Sequence, residues 1–239
     1  LSTHSLHNLL QDKHTWKSNL FTKKILTYLK KQPWYKGVVV APNFNDYPPF
    51  HSIFVEVNEN LMPTSGLKSN RRVFASASGF DFSHTLTRAL CECLERHSFY
   101  TYANSSLKRT AIESDVIQGL YTGKVDKNNQ SFGTFQSPSV PAKCLISKCN
   151  TWLPAQFIYW NYNKRDCEVH LTESNTNGCA VGKTHDSALF SSLAELVERD
   201  SFLLFWYAQC NGTRIDNYSL PENLCRLVDH FSSFGLEVS

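Results

Sequence analysis

Apolar and polar residues recur along the chain in patterns that predict both helices and strands. Between residues 6 and 31, leucines and aromatic residues appear every three or four positions with lysines between them. This spacing predicts one or two amphipathic helices that end before Pro33. Three β-rich runs follow, separated by turns rich in proline or asparagine: Gly37–Ala41, Ser52–Val57 and Val73–Ala77. Their order predicts an antiparallel meander that leads into a helix.

Two later segments have nearly the same pattern, and each predicts a glycine turn followed by a helix. They are Gly79–Phe99 and Gly182–Phe202, and they match at a constant offset of 103 residues. The identical residues are Gly79, Leu86, Leu90, Glu92, Glu95, Arg96, Ser98 and Phe99 in the first segment, and Gly182, Leu189, Leu193, Glu195, Glu198, Arg199, Ser201 and Phe202 in the second. This agreement predicts an internal duplication of a β-α unit.

The remaining stretches predict a hairpin and a further helix. Residues 105–136 are polar and indicate a helical excursion and a mobile loop, and Val140–Cys149 with Trp152–Tyr162 indicates a hairpin. Aromatic side chains on its second arm suit either sheet packing or an adenine-stacking platform: Phe157, Tyr159 and Trp160. A helix over Pro221–Phe234 is expected to lead into a strand at 235–239 that would be incomplete, so we interpret the chain as a fragment.

Composition narrows the function classes. The chain has 239 residues, of which 41% are hydrophobic, enough for the core of one large α/β domain or of two small ones. A net charge of +3 without long basic blocks gives no indication of nucleic acid, and no apolar stretch is long enough to span a bilayer. The eight cysteines include no C-x-x-C motif. We therefore expect a soluble, cytoplasmic protein with reduced and mostly buried thiols.

The paired glutamates of the two segments carry the candidate chemistry. In each helix they stand three residues apart on one face, with an arginine beside the second. If the fold brings the helices together, four carboxylates surround one point and require a cation. Because Mg²⁺ usually binds a few carboxylates together with phosphates, a metal-nucleotide site is predicted. The alternative for either helix alone is a solvated ion pair. The small-residue turn over 172–182 would also bring backbone N–H groups to an anion.

The same residues resemble the signatures of the YcaO superfamily. The first signature is similar to Ser78-Gly79 followed by Arg88–Ser98, and the second to Asn177–Gly182 followed by Ala188 and Ala194–Asp200. The resemblance runs from about Gly37 onward. It implies an α+β fold of the YcaO ATP-binding type, with a helical segment at 1–36 and a partial domain at 37–239 whose halves are about 37–110 and 140–239.

The resemblance also implies a chemistry. YcaO proteins bind ATP and Mg²⁺, and in one branch a Cys, Ser or Thr of a ribosomally made precursor peptide attacks the preceding amide carbonyl. The oxyanion takes the γ-phosphate, and loss of phosphate leaves a thiazoline or oxazoline. Other branches form thioamides or amidines. The metal ligands carried over are Glu92, Glu95, Glu195 and Glu198, and the other cofactor-binding residues are Arg96, Lys183 and Arg199. No catalytic side chain is assigned.

Several positions depart from the family pattern. Arg88 replaces a common serine, Lys183 replaces the asparagine after the turn, and Ser187 replaces a glutamate. A non-catalytic docking or regulatory YcaO-like subunit therefore stays open as an alternative. The implied partners are a precursor peptide, an E1-like leader-binding protein and a flavin dehydrogenase of the same pathway, with a homodimer as a further alternative and neither nucleic acid nor membrane.

Overall fold

The computed structural model describes residues 20–42, 50–58, 73–100, 107–112, 135–159, 162, 168, 171, 175–210, 212–213, 215–216 and 219–237. The helices are α1 (Leu20–Leu29), α2 (Phe82–Tyr100), α3 (Ala155–Ile158), α4 (His185–Ala208) and α5 (Glu222–Ser233). The strands are β1 (Tyr35–Val40), β2 (His51–Val57), β3 (Val73–Gly79), β4 (Lys108–Ile112), β5 (Phe135–Lys143) and β6 (Asn150–Pro154). The chain thus combines helices and strands. Within the described ranges, no helix has both the length and the apolarity to cross a bilayer.

The first sheet is the predicted antiparallel meander. Its strands lie in the order β1-β2-β3, with Val38 opposite Val55 and Val55 opposite Ala75. Alternate residues of β2 point into the core, so Ile53, Val55 and Val57 are buried. The prediction of three strands from the β-rich runs is confirmed.

Helix α2 covers one face of this sheet. Its buried positions follow helical spacing and pack with the inward side chains of β2: Leu86, Ala89, Leu90 and Cys93. Full burial of a leucine stabilises the fold by roughly 1.5–3 kcal/mol, so these contacts fix the orientation of α2. The polar positions of α2, including both of its glutamates, are thereby kept on the remaining surface of the helix.

Helix α1 is the described part of the helical N-terminal segment, and residues 6–19 lie outside the described residues. Its buried side chains Ile25, Leu26 and Leu29 join the same core as Trp34 and the first sheet. The Thr22 and Thr87 hydroxyls also lie 2.6 Å apart, which links α1 to α2. The division of the chain at residue 36 stays a prediction.

The second sheet corrects two predictions. Its antiparallel order is β4-β5-β6, so Lys108–Ile112 is a strand where a helical excursion was expected, while residues 113–134 lie outside the described residues. The second hairpin arm ends at Pro154, not at Tyr162. Pro154 has φ −55° and precedes α3, which places Phe157 in a helix. Trp160 lies outside the described residues.

Helix α4 begins at a capping box. The Thr184 Oγ1 accepts a hydrogen bond from the Ser187 N–H, and the Ser187 Oγ accepts one from the Thr184 N–H, both at 3.1 Å. The helix runs six residues beyond the predicted Phe202 and ends at Ala208, before Gln209 in the left-handed region with φ 50°. In the described structure none of its side chains is buried, and Phe190 is 74% exposed.

The last described element is α5, which confirms the helix predicted over Pro221–Phe234 to within one residue at each end. Gly235 follows with a positive φ of 74° and forms a turn. The strand expected at 235–239 is not formed at residues 235–237, and residues 238–239 lie outside the described residues.

The cysteines are more exposed than predicted. Among the seven that the structure describes, only Cys93 is buried, while Cys149 and Cys210 are exposed. The physical reason is their position, since Cys149 lies beside the turn between β5 and β6 and Cys210 lies just after α4. The prediction of mostly buried thiols is therefore wrong.

Candidate functional site

The arginine of each repeated segment pairs with the first glutamate of the same helix. In α2 the Arg96 Nη2 lies 2.5 Å from the Glu92 Oε1, and in α4 the Arg199 Nε lies 2.7 Å from the Glu195 Oε1. Both are i,i+4 pairs, and they match at the offset of 103 residues. A guanidinium in this position fixes the rotamer of its carboxylate. The arginines therefore orient the first glutamate of each helix.

Glu92 is also held by the first sheet. Its Oε2 accepts a hydrogen bond of 3.2 Å from the Ser76 N–H on β3. One carboxylate oxygen thus faces the sheet and the other faces Arg96. This arrangement gives Glu92 a structural role, which the sequence did not predict because it depends on how α2 lies against β3.

Glu95 is the point at which the two helices meet electrostatically. Burial, together with the charges of Glu195 and Glu92, raises the pKa of this half-buried carboxyl to about 7 against the opposing effect of Arg96. The acidic faces of α2 and α4 are therefore close enough for Glu95 to interact with Glu195 as well as with Glu92. Glu198 is exposed and is not among the charges that raise the pKa of Glu95.

The turn before α4 contributes a thiol to the same region. Burial raises the pKa of Cys179 to about 12, and the nearby Glu95 and Glu195 contribute to the rise. Cys179 is consequently a protonated neighbour of the two carboxylates. Sequence reasoning missed it, because only the meeting of the two helices brings the turn beside both acids.

The glycines ahead of the two helices allow a close approach of the turn to the first helical residues. A Cβ at Gly79 would lie 2.6 Å from the Thr85 Oγ1, and a Cβ at Gly182 would lie 2.5 Å from the Ala188 N. Thr85 and Ala188 are each six residues beyond their glycine. Gly178 adopts a positive φ of 75°, and its carbonyl accepts a hydrogen bond from the Ser192 hydroxyl, which ties the turn to α4.

A cavity of about 440 Å³ lies next to this turn. It is lined from α2 by Ser98 and Phe99, from α3 by Phe157 and Ile158, and from α4 by Leu189 and Ser192 among others. Phe157 thus contributes to a cavity wall rather than to a sheet face.

The donor set suits a hard cation that binds together with phosphate. In the described part of the chain, no three Asp, Glu, His or Cys side chains converge closely enough to hold a metal ion by themselves. Mg²⁺ is usually bound through one or two carboxylates plus substrate phosphates, so a protein-only cage is not required. Besides burial, the charges of Glu195 and Glu92 raise the pKa of Glu95, and a cation would relieve that repulsion.

Comparison with known proteins decides the family. The family described as "YcaO cyclodehydratase, ATP-ad Mg2+-binding" matches residues 78–239, which is most of the chain. The chain belongs to the YcaO family. The predicted resemblance is thereby confirmed, and ATP and Mg²⁺ are the cofactors of this family.

Relatives of this YcaO chain are considerably longer than the chain itself. An uncharacterized protein of Methanothermobacter thermautotrophicus is 33% identical over 88 residues, which cover 36% of this chain and 23% of that protein. A heterocyclase solved in complex with substrate and cofactor superposes with a TM-score of 0.66 at 18% identity, covering 98% of this chain and 34% of the heterocyclase. The chain therefore spans about a third or less of these two proteins.

Two further structures share the YcaO fold. The YcaO protein of Methanopyrus kandleri, solved with AMPPCP and Mg²⁺, has a TM-score of 0.56 at 16% identity and covers 91% of this chain and 54% of its own. The E. coli microcin synthetase McbBCD complex with bound pro-MccB17 has a TM-score of 0.52 at 18% identity. The match covers 74% of this chain and 43% of the matched chain of that complex. At these identities the likeness establishes the fold.

The three positions that depart from the YcaO pattern make local contacts. The Arg88 Nη1 donates to the Ser78 carbonyl at 3.4 Å, and Ser187 completes the capping box of α4. The Lys183 Nζ lies 5.7 Å from the centre of the Phe21 ring, in the range of a cation–π contact. Lys183 thus connects the start of α4 to α1.

Proposed function

We propose that this chain is part of an ATP- and Mg²⁺-dependent enzyme that activates backbone amides and forms thiazoline or oxazoline rings on a ribosomally synthesised precursor peptide. The observation that carries the proposal is that Glu95 of α2 lies within electrostatic range of Glu195 of α4 as well as of Glu92. In a YcaO chain, three interacting carboxylates at this place suit the metal and phosphates of a nucleotide.

The residues divide into ligands and orienting groups. Glu92, Glu95, Glu195 and Glu198 would hold the Mg²⁺ ions around the phosphates. Bound Mg-ATP supplies the phosphoryl group that converts an amide oxygen into a leaving group. Arg96 and Arg199 keep the first glutamate of each helix in place through their 2.5 Å and 2.7 Å pairs.

The site would lie between two related halves. Support for an internal β-α duplication comes from matched local contacts: each helix has the same Glu-Arg pair, and each preceding glycine packs against the residue six positions later. In such an arrangement each half contributes one acidic helix to a shared site, which explains why the glutamates recur at one offset.

The proposed reaction also implies partners for this chain. A precursor peptide and a leader-binding partner protein suit this proposal, since one structural neighbour is a synthetase complex with its bound pro-peptide. A flavin dehydrogenase that oxidises the rings, a homodimer and the cytoplasmic location stay predictions.

Replacing Glu195 with Gln tests the function. We expect Glu195→Gln, in the full-length protein that carries this chain, to lower Mg²⁺-dependent ATP consumption by at least about a hundredfold, because the metal loses a charged ligand. The matched control is Glu222→Gln, which breaks an i,i+4 pair with Arg226 on α5 and should leave turnover unchanged.

Turnover that survives Glu195→Gln at the level of the control would remove Glu195 from the site. The mass of the peptide product separates the chemistries within the family. Azoline formation removes one water, whereas thioamide formation exchanges oxygen for sulfur. A product of the second kind would replace ring formation as the proposed reaction.

A second candidate is a non-catalytic YcaO subunit that docks or regulates a partner. It is favoured by the engagement of Arg88, Lys183 and Ser187 in contacts within the chain rather than with an open pocket.

The Lys183→Ala variant separates the two candidate functions. If Lys183 contacts phosphate, the variant binds ATP about tenfold more weakly in calorimetric titration, because a point charge is lost.

Phe21→Leu serves as the control for that variant, since it removes the ring under Lys183 but keeps the charge. Tighter ATP binding by Lys183→Ala would show instead that the lysine fills the nucleotide space. Binding without consumption of ATP by the unmodified protein would favour the non-catalytic subunit.

A further inference from the structure

The turn between β5 and β6 holds two cysteines opposite one another. Lys143 is paired with Asn150 in the sheet, and the next residues outward are Cys144 and Cys149. The Cys144 N–H donates to the Cys149 carbonyl at 2.9 Å, which extends the ladder by one position. Directly opposed residues of an antiparallel pair have side chains on one face and Cα atoms about 4.5–5.5 Å apart, a separation within the range of disulfides.

Both sulfur atoms contact the backbone of the same turn residue. The Cys144 Sγ accepts a hydrogen bond of 3.4 Å from the Ser147 N–H, and the Cys149 Sγ donates one of 3.6 Å to the Ser147 carbonyl. Lys148, with a positive φ of 61°, closes the turn by donating its N–H to the Cys144 carbonyl at 3.0 Å. The turn therefore gathers the two thiols around Ser147.

The surroundings of the two sulfurs differ in a way that gives them different roles. Hydrogen bonds from Ser147 lower the pKa of the Cys144 thiol, and the charge of Lys148 adds to the effect. Cys149 is exposed and donates its own S–H. By contrast, burial raises the pKa of Cys91, Cys93 and Cys179 to about 11–12, so those thiols are unreactive. The hairpin Cys144 is therefore more readily deprotonated to the reactive thiolate than the cysteines at these three positions.

We propose that Cys144 and Cys149 form a peroxide-reactive dithiol site, in which Cys144 is the attacking sulfur and Cys149 the resolving one. The Cys144 thiolate attacks one oxygen of hydrogen peroxide, the O–O bond breaks, and the departing hydroxide takes up the thiol proton as water. The Cys149 sulfur then attacks the sulfenic sulfur of Cys144, and the hydroxyl leaves with the Cys149 proton as a second water. Two thiols lose two electrons in total, and one peroxide gains them.

The product is a disulfide across the hairpin end. It would covalently join the end of β5 to the start of β6, whose other end at Pro154 leads into α3 and the cavity wall. Neither cysteine is among the proposed nucleotide ligands, so this site stands independently of the proposed function.

Peptide mapping of the peroxide-treated chain tests the site. Trypsin cleaves after Lys143 and Lys148, so a Cys144–Cys149 disulfide links peptide 144–148 to the peptide that begins at Cys149. We expect this linked peptide, lighter by two hydrogens than its parts, to form in the unmodified chain and to disappear on reduction. In Cys149→Ser the link is lost and Cys144 is trapped by dimedone as a sulfenic acid.

Two further variants test whether the reaction is specific to the Cys144–Cys149 pair. Ser147→Ala removes the hydroxyl that lowers the pKa of the Cys144 thiol and that accepts a hydrogen bond from the Cys149 N–H at 3.4 Å, and it should slow the reaction by about threefold to tenfold. Cys210→Ser changes another exposed thiol and should leave the rate unchanged. Both changes lie at exposed positions, so the chain is expected to fold in each case. The proposal is overturned if Cys210 reacts as fast as Cys144, or if Cys144 is oxidised without forming the linked peptide.

Discussion

Gly182 lets the turn pass directly against the first residues of α4. A Cβ at this position would lie 2.5 Å from the Ala188 N and would also collide with the Ser187 Oγ. Ser187 is part of the capping box, so a side chain at residue 182 would disturb the helix start as well as the turn. Because a backbone atom is one of the obstacles, rotation of a side chain cannot relieve the contact.

We expect Gly182→Ala to lower the free energy of unfolding by about 1–3 kcal/mol, as overpacking against backbone does. Gly37→Ala is the matched control, since a Cβ at Gly37 meets nothing within 4 Å. Urea denaturation followed by circular dichroism measures both. Equal stabilities of the two variants would contradict the close approach at Gly182.

Single residues also show where sequence reasoning ends. The pairing of Arg96 with Glu92 was foreseeable, because i,i+4 neighbours on a helix are close whatever surrounds them. The hydrogen bond from the Ser76 N–H to Glu92 was not, because it depends on how α2 lies on β3. The same holds for Cys144 and Cys149, whose pairing follows from the register of β5 and β6.

Helices α2 and α4 share a pattern but differ in burial. Leu90 of α2 is fully buried against the first sheet, whereas the matching residue of α4, Leu193, is 44% exposed. One pattern of residues therefore has two energetic consequences, which depend on whether a sheet packs on the helix.

The two leucines give a matched pair of substitutions. Leu90→Ala should lower the free energy of unfolding by about 2–5 kcal/mol, because it leaves a cavity in a closed core. Leu193→Ala should change it by about 0.5 kcal/mol or less in this chain, because its side chain already contacts water. Chemical denaturation of both variants checks this difference, and a large loss in Leu193→Ala would show that α4 is packed in solution.

The elements were predictable where side chains reveal their environment. The runs of β1 to β3 place apolar side chains in a core and were recognised, whereas β4, with Lys108 and Arg109, lacks that signal. Pro154 marked the end of β6, but the aromatic residues beyond it favoured a longer strand. Periodicity thus identified strands that face a core and missed the short polar one.

At the scale of the whole molecule, the burial of Glu95 near Glu195 and Glu92 links stability to pH. The Glu95 carboxyl titrates near pH 7 in the folded chain and near its ordinary value of 4.5 in the unfolded chain. Between these values the folded state binds more protons, so the resulting stability is present below about pH 4.5 and is lost as pH rises through 7. Since the side chain is only half-buried, solvent screening reduces the effect.

We therefore expect the deprotonation of Glu95 to lower the unfolding free energy of the metal-free chain by about 1–2 kcal/mol between pH 5 and pH 7.5. The Glu95→Gln variant should not show this loss. Millimolar Mg²⁺ with nucleotide should restore stability at pH 7.5 by neutralising the acids. Urea titrations across pH measure both effects, with Glu222→Gln as the control. Parallel pH profiles for the unmodified chain and Glu95→Gln would contradict the interaction between α2 and α4.

The sequence predicted which residues belong to the candidate site but not how they are arranged in space. Repetition of Glu-x-x-Glu-Arg indicated which side chains to expect, and in the structure the charges of Glu92 and Glu195 act on Glu95 while Glu198 stays exposed. The approach of one helix to another depends on contacts far apart along the chain, which no local pattern records.

The open side of α4 affects how this polypeptide behaves in concentrated solution. Large apolar side chains meet water along the helix, among them Phe190, Phe202 and Trp206, and exposed apolar surface of this kind favours self-association. Sulfate and other excluded salts increase the free energy cost of that hydration. The chain will consequently salt out early, and charged or mildly chaotropic buffers will keep it dispersed.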